Sequence, residues 1–420
     1  MEHSIMSAYA LDSSTGEVIV DTSGDLSMIP ASCMKIVTTG AALHLLDPES
    51  RFETHLEIDG EVDKDQVLHG NLYIRGGGDP CLGSDRIDGY PSWKEQLEIW
   101  GDAVEKLGIK IIEGALIVDA SSWEKAMAPP SWGWEDIGNY YGAGASGLSF
   151  CENQYEIFFK PGLFVGDEVT ILRTDPPLGP LRIENEVKSG PEGSGDRACI
   201  YGMEFSQVQY IRGTIPLGVD EFSIRGAIPD PPLLVKCLFI QQLEQRGIVV
   251  QKKSIIGSHE RRSFHVTYSP TIGEIVYWTN QKSINLYAEH LVKKVGRGTT
   301  FEGIETIKQF WEEKGVDLSG FNIADGAGLS RKNLVTARGM AQILMVMKNS
   351  SFFPLFFESL RKHHGLMMAK DGRMSLIRGY AGYIDDAALV ILVNHCREEA
   401  LIEEKVKDVL REIENIMSKK

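Results

Sequence analysis

Ser32 and Lys35 stand three residues apart in Pro30-Ala31-Ser32-Cys33-Met34-Lys35, after a proline and before an apolar run with helical spacing. On a helix, positions i and i+3 share a face. A hydroxyl and an amine so placed can meet, and a neutral lysine can take the hydroxyl proton, which is the activation a serine nucleophile needs. The pattern alone is loose, because Ser-x-x-Lys also occurs at Ser122/Lys125 and Ser359/Lys362. Context separates the three. Ser122 follows the strand-like run Ala115 to Val118 and leads into Pro129-Pro130, while Ser359 follows the aromatic run Phe352 to Phe357, where Lys362 reads as a solvated side chain. Only Ser32 opens a helix: Ile36, Val37, Ala41, Leu43 and Leu45 follow it, and Asp47-Pro48 stops the run. The positive end of that helix helps lower the lysine from its ordinary pKa of about 10.4.

Two further segments carry chemistry. Ser283-Ile284-Asn285 is the only Ser-x-Asn in the chain and precedes the helical run Leu286 to Val295. Its hydroxyl can relay a proton to a leaving amine and its amide can bind a peptide backbone. The bland reading is that Ser283 caps a helix. Lys370-Asp371-Gly372 leads into Met374 to Tyr383, which reads as an edge strand. A lysine there can hold a carboxylate, and the glycine admits a close backbone. Lys-x-Gly also occurs at Lys106, Lys160 and Lys294, so the order of the three segments, each at an element boundary, is the informative feature.

The elements that must position these residues follow from pattern. Residues 6–22 read as a hairpin and 31–46 as a helix; 52–75 are β-rich, 91–107 helical, and 114–119 a strand. Residues 128–150, rich in Gly, Pro and aromatics, read as a loop able to line a cleft. Short strands fill 151–265 around a helix at 232–246, and Lys188 to Asp196 reads as a flexible Gly/Ser tract. Helices are expected at 271–278, 283–296, 301–314, 336–348 and 400–418, with strands at 375–384 and 387–394 before the last. The β-rich middle reads as an insertion. The expected domains are 1–51 with 266–420, 52–80 with 151–265, and a nested 81–150.

Composition narrows the function. The 420 residues are 43% hydrophobic and 24% charged, with 43 basic against 59 acidic side chains for a net charge of −16. That balance argues against nonspecific nucleic-acid binding, since a phosphate backbone would be repelled. No apolar stretch approaches the roughly 18 residues of a membrane span. No segment reads as a signal peptide, so the chain is expected to be either cytoplasmic or the mature form of an exported protein. The six cysteines, Cys33, Cys81, Cys151, Cys199, Cys237 and Cys396, are scattered without a Cys-x-x-Cys. Neither a zinc site nor a dense disulfide framework is expected from them, and no cofactor is called for. Cys33 reads as a buried helical thiol. His363-His364 lacks the spacing of a helical metal site and reads as a surface or loop pair.

The ordered set Ser-x-x-Lys, Ser-x-Asn, Lys-x-Gly matches that of penicillin-binding proteins and β-lactamases. The chain resembles, over nearly its whole length, the low-molecular-mass class C penicillin-binding proteins, the D-alanyl-D-alanine carboxypeptidase/endopeptidase family. Beyond the three motifs, the likeness includes Gly70 to Pro80 (GNLYIRGGGDP), Gly114 to Ser121, Gly213 to Gly218, Arg225 to Pro231, Asp325 to Arg331 (DGAGLSR) and Gly379 to Tyr383. It implies an α+β multidomain protein: a β-lactamase/transpeptidase-like domain, an antiparallel sheet flanked by helices, with two inserted, mainly β domains.

The resemblance also implies roles. Ser32 would be the acylated nucleophile, Lys35 its base, Ser283 the proton shuttle, Asn285 a peptide ligand, and Lys370 the cation of the cleft. Backbone N–H groups of Ser32 and Arg373 would form the oxyanion hole, and Asp371, Gly372 and Met374 would line the substrate. Asp136 and Tyr141 match an aspartate and an aromatic that the family uses to hold the amino end of a diaminopimelate side chain. The implied partners are peptidoglycan stem peptides and β-lactam antibiotics, in a periplasmic or extracytoplasmic setting, with no metal. One departure stands out: Asp371-Gly372-Arg373 replaces the family's usual Thr-Gly-Thr/Ser. An ionised aspartate only accepts hydrogen bonds and repels a substrate carboxylate. Alternatives are therefore a non-catalytic peptidoglycan-binding relative, or an esterase, amidase or D-aminopeptidase of the same fold.

Overall fold

The computed structural model describes residues 3–253, 260–397 and 399–417. The chain divides into two compact units, residues 1–50, 129–132 and 271–420 in the first, and 51–128 and 133–270 in the second.

The first unit is built on an antiparallel sheet. Its strands are β1 (Ile5–Asp12), β2 (Val18–Thr22), β3 (Arg361–His363), β4 (Met367–Met374), β5 (Ile377–Ile384) and β6 (Ala387–Asn394), in the spatial order β3-β4-β5-β6-β1-β2. The two ends of the chain thus meet, with Ile5 opposite Asn394 and Asp12 opposite Ala387. β5 and β6 are buried along their whole length, and β6 (AALVILVN) accordingly reads as a near-continuous apolar run rather than an alternating one.

The helices of this unit are α1 (Met34–Leu45), α2 (Ile272–Gln281), α3 (Asn285–Val295), α4 (Thr300–Glu313), α5 (Ala337–Lys348), α6 (Phe353–Glu358) and α7 (Glu399–Met417). On α7, Ile402, Val406, Leu410 and Ile413 form a helical stripe that packs on Ala8, Ala10, Met367, Tyr380, Leu389 and Ile391 of the sheet. α1 packs with α2, α3, α4 and α5 and is buried on every face from Met34 to Leu43. Its small residues allow this: a Cβ on Gly40 would come 3.0 Å from the Trp311 ring, whose Nε1 donates to the Val37 carbonyl at 3.0 Å.

Three local expectations change. Residues 31–33 form a 3-10 turn ahead of α1 rather than its first α-turn. Lys370 to Gly372 lie inside β4 rather than ahead of a strand at Met374 to Tyr383, which the turn at Ser375-Leu376 divides between β4 and β5. Two charged residues mid-strand in MMAKDGRM hide its alternation. In the second unit, Lys188 to Gly190 of the expected Gly/Ser tract complete the strand Arg182–Gly190, in register with Val208–Pro216.

Among the described residues, the second unit holds one four-stranded and three three-stranded sheets around a single core, with Trp100 of helix Trp93–Lys106 against Phe239 of helix Pro231–Gln245 at 5.5 Å between ring centroids.

β4 and β5 lie against the 3-10 turn through paired glycines, Gly372 opposite Gly379. A Cβ on Gly372 would stand 2.5 Å from the Pro30 oxygen and 3.1 Å from Cys33 N, both backbone atoms. Gly372→Ala is therefore expected to cost about 1–3 kcal/mol in urea denaturation. Gly273→Ala, on α2 where the nearest foreign atom is 3.5 Å away, is expected to stabilise by about 0.5–1 kcal/mol. Equal effects of the two would contradict the close approach.

Candidate active site

The 3-10 turn presents Ser32 half-buried at the start of α1, and Ala31 before it takes a left-handed φ of 48°. Such strain persists only where the surroundings enforce it. Here β4 closes one side of the turn, and on another a Cβ on Gly328 (φ 84°) would lie 1.9 Å from the Ala31 carbonyl oxygen.

Lys35, the second residue of α1 and one turn after Ser32, is fully buried. Its Nζ donates to Ser32 Oγ at 3.1 Å, to Asn285 Oδ1 at 2.6 Å and to the Ala327 carbonyl at 2.6 Å. Burial is the largest influence on this amine and pushes it down. Lys370 pushes the same way, Asp325, Glu289 and Asp371 offset part of the effect, and it rests at about 7. About half of it is then neutral at pH 7. A neutral amine has two N–H donors and one lone pair. With the shorter bonds to Asn285 and Ala327 using the donors, the lone pair faces Ser32 Oγ, the geometry of a general base.

The loop 325–331 after α4 supplies the Ala327 carbonyl, and Asp325 organises it. Its Oδ1 accepts from Gly328 N at 2.6 Å and Asn333 Nδ2 at 2.7 Å, and its Oδ2 from Ser330 N at 2.6 Å and Trp132 Nε1 at 2.8 Å. Thr38 on α1 ties the same loop to the helix through the Gly326 carbonyl at 2.8 Å. Trp132, Asp325 and Glu289 were not singled out as site residues from the sequence. The DGAGLSR run was the available signal for Asp325, since a short acidic side chain beside two glycines commonly closes a turn on its own backbone.

Ser283 lies two residues before Asn285, in a left-handed conformation with φ of 57°. The N-cap of α3 is Ile284, so Ser283 is not the helix cap that the bland reading expected. It is not among the three partners of Lys35.

Lys370 is 1% exposed, and its Nζ donates to the Asp371 carbonyl at 2.6 Å and to Asp371 Oδ1 at 3.1 Å. Burial pushes the Asp371 carboxyl up, but the charge and hydrogen bond of Lys370 and the nearby His363 outweigh it and leave it below the usual range. Gly372 faces the Ser32 turn, so the pleat turns Asp371 to the other side of β4. There His363 Nε2 lies 3.9 Å from Asp371 Oδ1, and Tyr380 is its cross-strand neighbour. His363 ends β3 and His364 opens the turn after it; both are half-buried and pack on Tyr380 at 5.4 and 5.6 Å between ring centroids. Arg373 is exposed, and Met374 ends the strand half-buried. Cys33 donates to the Lys370 carbonyl at 3.5 Å, and burial pushes its thiol up to about 12, which makes it unreactive.

Asp136 and Tyr141 belong to the second unit, where the Tyr141 phenol hydrogen-bonds the Asp136 side chain. Burial first, then the Asp136 charge, pushes that phenol well up. The other Ser-x-x-Lys matches are structural. Ser122 Oγ donates to the Gly76 carbonyl at 2.7 Å while Lys125 lies over the Phe205 ring, and buried Ser359 bonds the Phe356 carbonyl at 2.5 Å. Among the described residues, no cluster of His, Cys, Asp and Glu is arranged to hold a metal ion, and no helix is long and apolar enough to cross a membrane.

A family profile described as "D-Ala-D-Ala carboxypeptidase 3 (S13) family" matches residues 1–405. A D-alanyl-D-alanine carboxypeptidase from Actinomadura sp. is 24% identical over 421 residues, covering 91% of this chain and 76% of that protein. The crystal structure of penicillin binding protein 4 from Haemophilus influenzae superposes with a TM-score of 0.80 at 21% identity, over 94% of this chain and 91% of that one. A structure of the same Haemophilus protein complexed with a β-lactam gives 0.79 at 19% identity, over 98% and 97%. The likeness establishes the transpeptidase-like, mixed α and β fold.

Asp325→Ala would strand four donors at a buried site. It is expected to cost on the order of 3 kcal/mol or more, read as a lower urea midpoint at an unchanged slope. A loss below about 1 kcal/mol would show that the loop does not depend on this carboxylate.

Proposed function

Because the chain belongs to the D-Ala-D-Ala carboxypeptidase 3 (S13) family, we propose that it is a serine D,D-peptidase acting on peptidoglycan stem peptides through an acyl-enzyme at Ser32. The observation that carries this reading is the buried Lys35 amine, lowered to about 7 and 3.1 Å from Ser32 Oγ.

Neutral Lys35 takes the hydroxyl proton as Ser32 Oγ attacks the carbonyl carbon of the penultimate D-alanine. The backbone N–H groups of Ser32 and Arg373 hold the oxyanion that forms. Ser283 relays the proton now on Lys35 to the departing amine as the C–N bond breaks, leaving an ester on Ser32 and a neutral Lys35. Water, giving its proton to Lys35, hydrolyses that ester. Asn285 orients the lysine, and Lys370 supplies positive charge to the cleft. Asp136 and Tyr141 take the amino end of a diaminopimelate side chain, the carboxylate for the ammonium and the ring for its aliphatic stem. A β-lactam enters by the same attack and stays as the acyl group. The setting is extracytoplasmic, where cell-wall peptides lie.

The bond between Lys370 and Asp371 favours a second reading of the substrate. A lysine already paired internally is a weaker ligand for a free terminal carboxylate, and substrates ending in an amide or ester escape the repulsion from Asp371.

Two predictions follow from these roles. Labelling by a fluorescent penicillin is expected on the intact protein and lost in Ser32→Ala, and its rate is expected to rise with pH through about 7 as Lys35 deprotonates. An unlabelled intact protein, or label retained in Ser32→Ala, would refute the acyl-enzyme. For hydrolysis of an acyl-D-Ala-D-Ala peptide against its C-terminal amide, Asp371→Thr is expected to raise the preference for the free carboxylate about tenfold. An unchanged ratio would remove Asp371 from substrate selection.

A further inference from the structure

α3 carries a carboxyl group that the mechanism above does not use. Glu289 lies one turn after Asn285 and on the same face of the helix. It is 1% exposed, and its Oε1 accepts from Gly326 N at 2.9 Å and Ala327 N at 2.8 Å. Its Oε2 is buried with no hydrogen-bond partner among the described residues. Ala327, whose N–H Glu289 holds, carries on its other side the carbonyl that accepts from Lys35 Nζ at 2.6 Å. α3 therefore reaches the lysine twice, directly through Asn285 and indirectly through Glu289 and the backbone of Ala327.

The orphan oxygen bears on the charge of this group. Ionised, Glu289 would place negative charge on a buried atom that no donor meets, whereas the acid form leaves only a hydroxyl there. Asp325 in the neighbouring loop already takes the available donors, and two carboxylates at one site resist ionising together. Burial, and after it Asp325, pushes Glu289 up to about 8, against the pull of the two backbone N–H groups and of Lys35.

We propose that Glu289, as an uncharged carboxylic acid, is the positioning residue that aims the Ala327 carbonyl at Lys35 and so holds the amine in line with Ser32. The charged groups that act on Lys35 are then Lys370 and, on the far side of β4, Asp371, together with Asp325 from the loop, with Glu289 contributing geometry rather than charge. This inference rests on the reading of Ser32 as nucleophile and Lys35 as base.

The test compares wild type, Glu289→Gln and Glu289→Leu in the pH dependence of the second-order rate of acylation by a fluorescent penicillin. Infrared difference spectra at neutral pH accompany it. Leucine removes the acceptor, and the rate is expected to fall at least about tenfold. Glutamine restores an uncharged acceptor, so it is expected to rescue the rate to within about threefold at an unchanged midpoint. The carbonyl stretch of a protonated acid is expected in wild type and absent from Glu289→Gln. A midpoint in Glu289→Gln moved by about one unit would mean that the residue acts through charge and would overturn the proposal. So would a leucine variant with the wild-type rate, or the absence of the acid band. Should Glu289→Leu not fold, the glutamine midpoint and the band still decide. If wild type takes no penicillin, the proposed function fails, and the infrared band still reports the state of Glu289.

Discussion

A single ammonium group buried among three oxygen acceptors sets the terms for this fold. Removing a lysine charge from water is costly unless every proton finds a partner. Lys35 meets that demand with oxygens from three separate stretches of chain: Ser32 on its own turn, Asn285 on α3 and Ala327 on the loop after α4. The same burial that makes the charge costly lowers the amine to about 7, where it can exchange a proton with a serine. Stability and reactivity are therefore opposed at one atom, and surrounding elements carry the strain. An arginine could not fill this position, because its guanidinium stays charged at any accessible pH.

The clamp around the Ser32 turn follows from that demand. A left-handed Ala31 and a serine at the mouth of a buried helix require backbone to press in from more than one side. Gly372 on β4 and Gly328 in the loop let it do so, at distances where a Cβ would collide with the Pro30 and Ala31 oxygens. Asp325 locks the loop with four donors, and Glu289 holds its middle from α3. The site is built by elements far apart in sequence and held mainly by backbone hydrogen bonds.

That construction explains what could be read from the sequence. Ser32 and Lys35 were legible because helix geometry links them locally, and the same reasoning set aside Ser122/Lys125 and Ser359/Lys362. The buried strands β5 and β6 and the amphipathic helices followed from apolar patterning. Asp325, Glu289 and Trp132 were not singled out, because their importance lies in irregular backbone contacts of one loop and in bonds to it from α3 and from Trp132, none of which leaves a periodic trace. β4 was misplaced because a lysine and an aspartate mid-strand look like a loop until their partners are seen. The relation of Asp371 to Lys370 was likewise invisible, since it depends on which way the pleat turns at Gly372.

The most direct test of this account is to titrate Lys35 itself. Carbon NMR of lysine labelled at Cε, with Lys35→Met to assign the signal, reports the protonation of the amine without any substrate. One lysine is expected to titrate at about 7 and to be absent from the variant. A Lys35 signal that stays protonated into the ordinary lysine range, about 10.4, would contradict it.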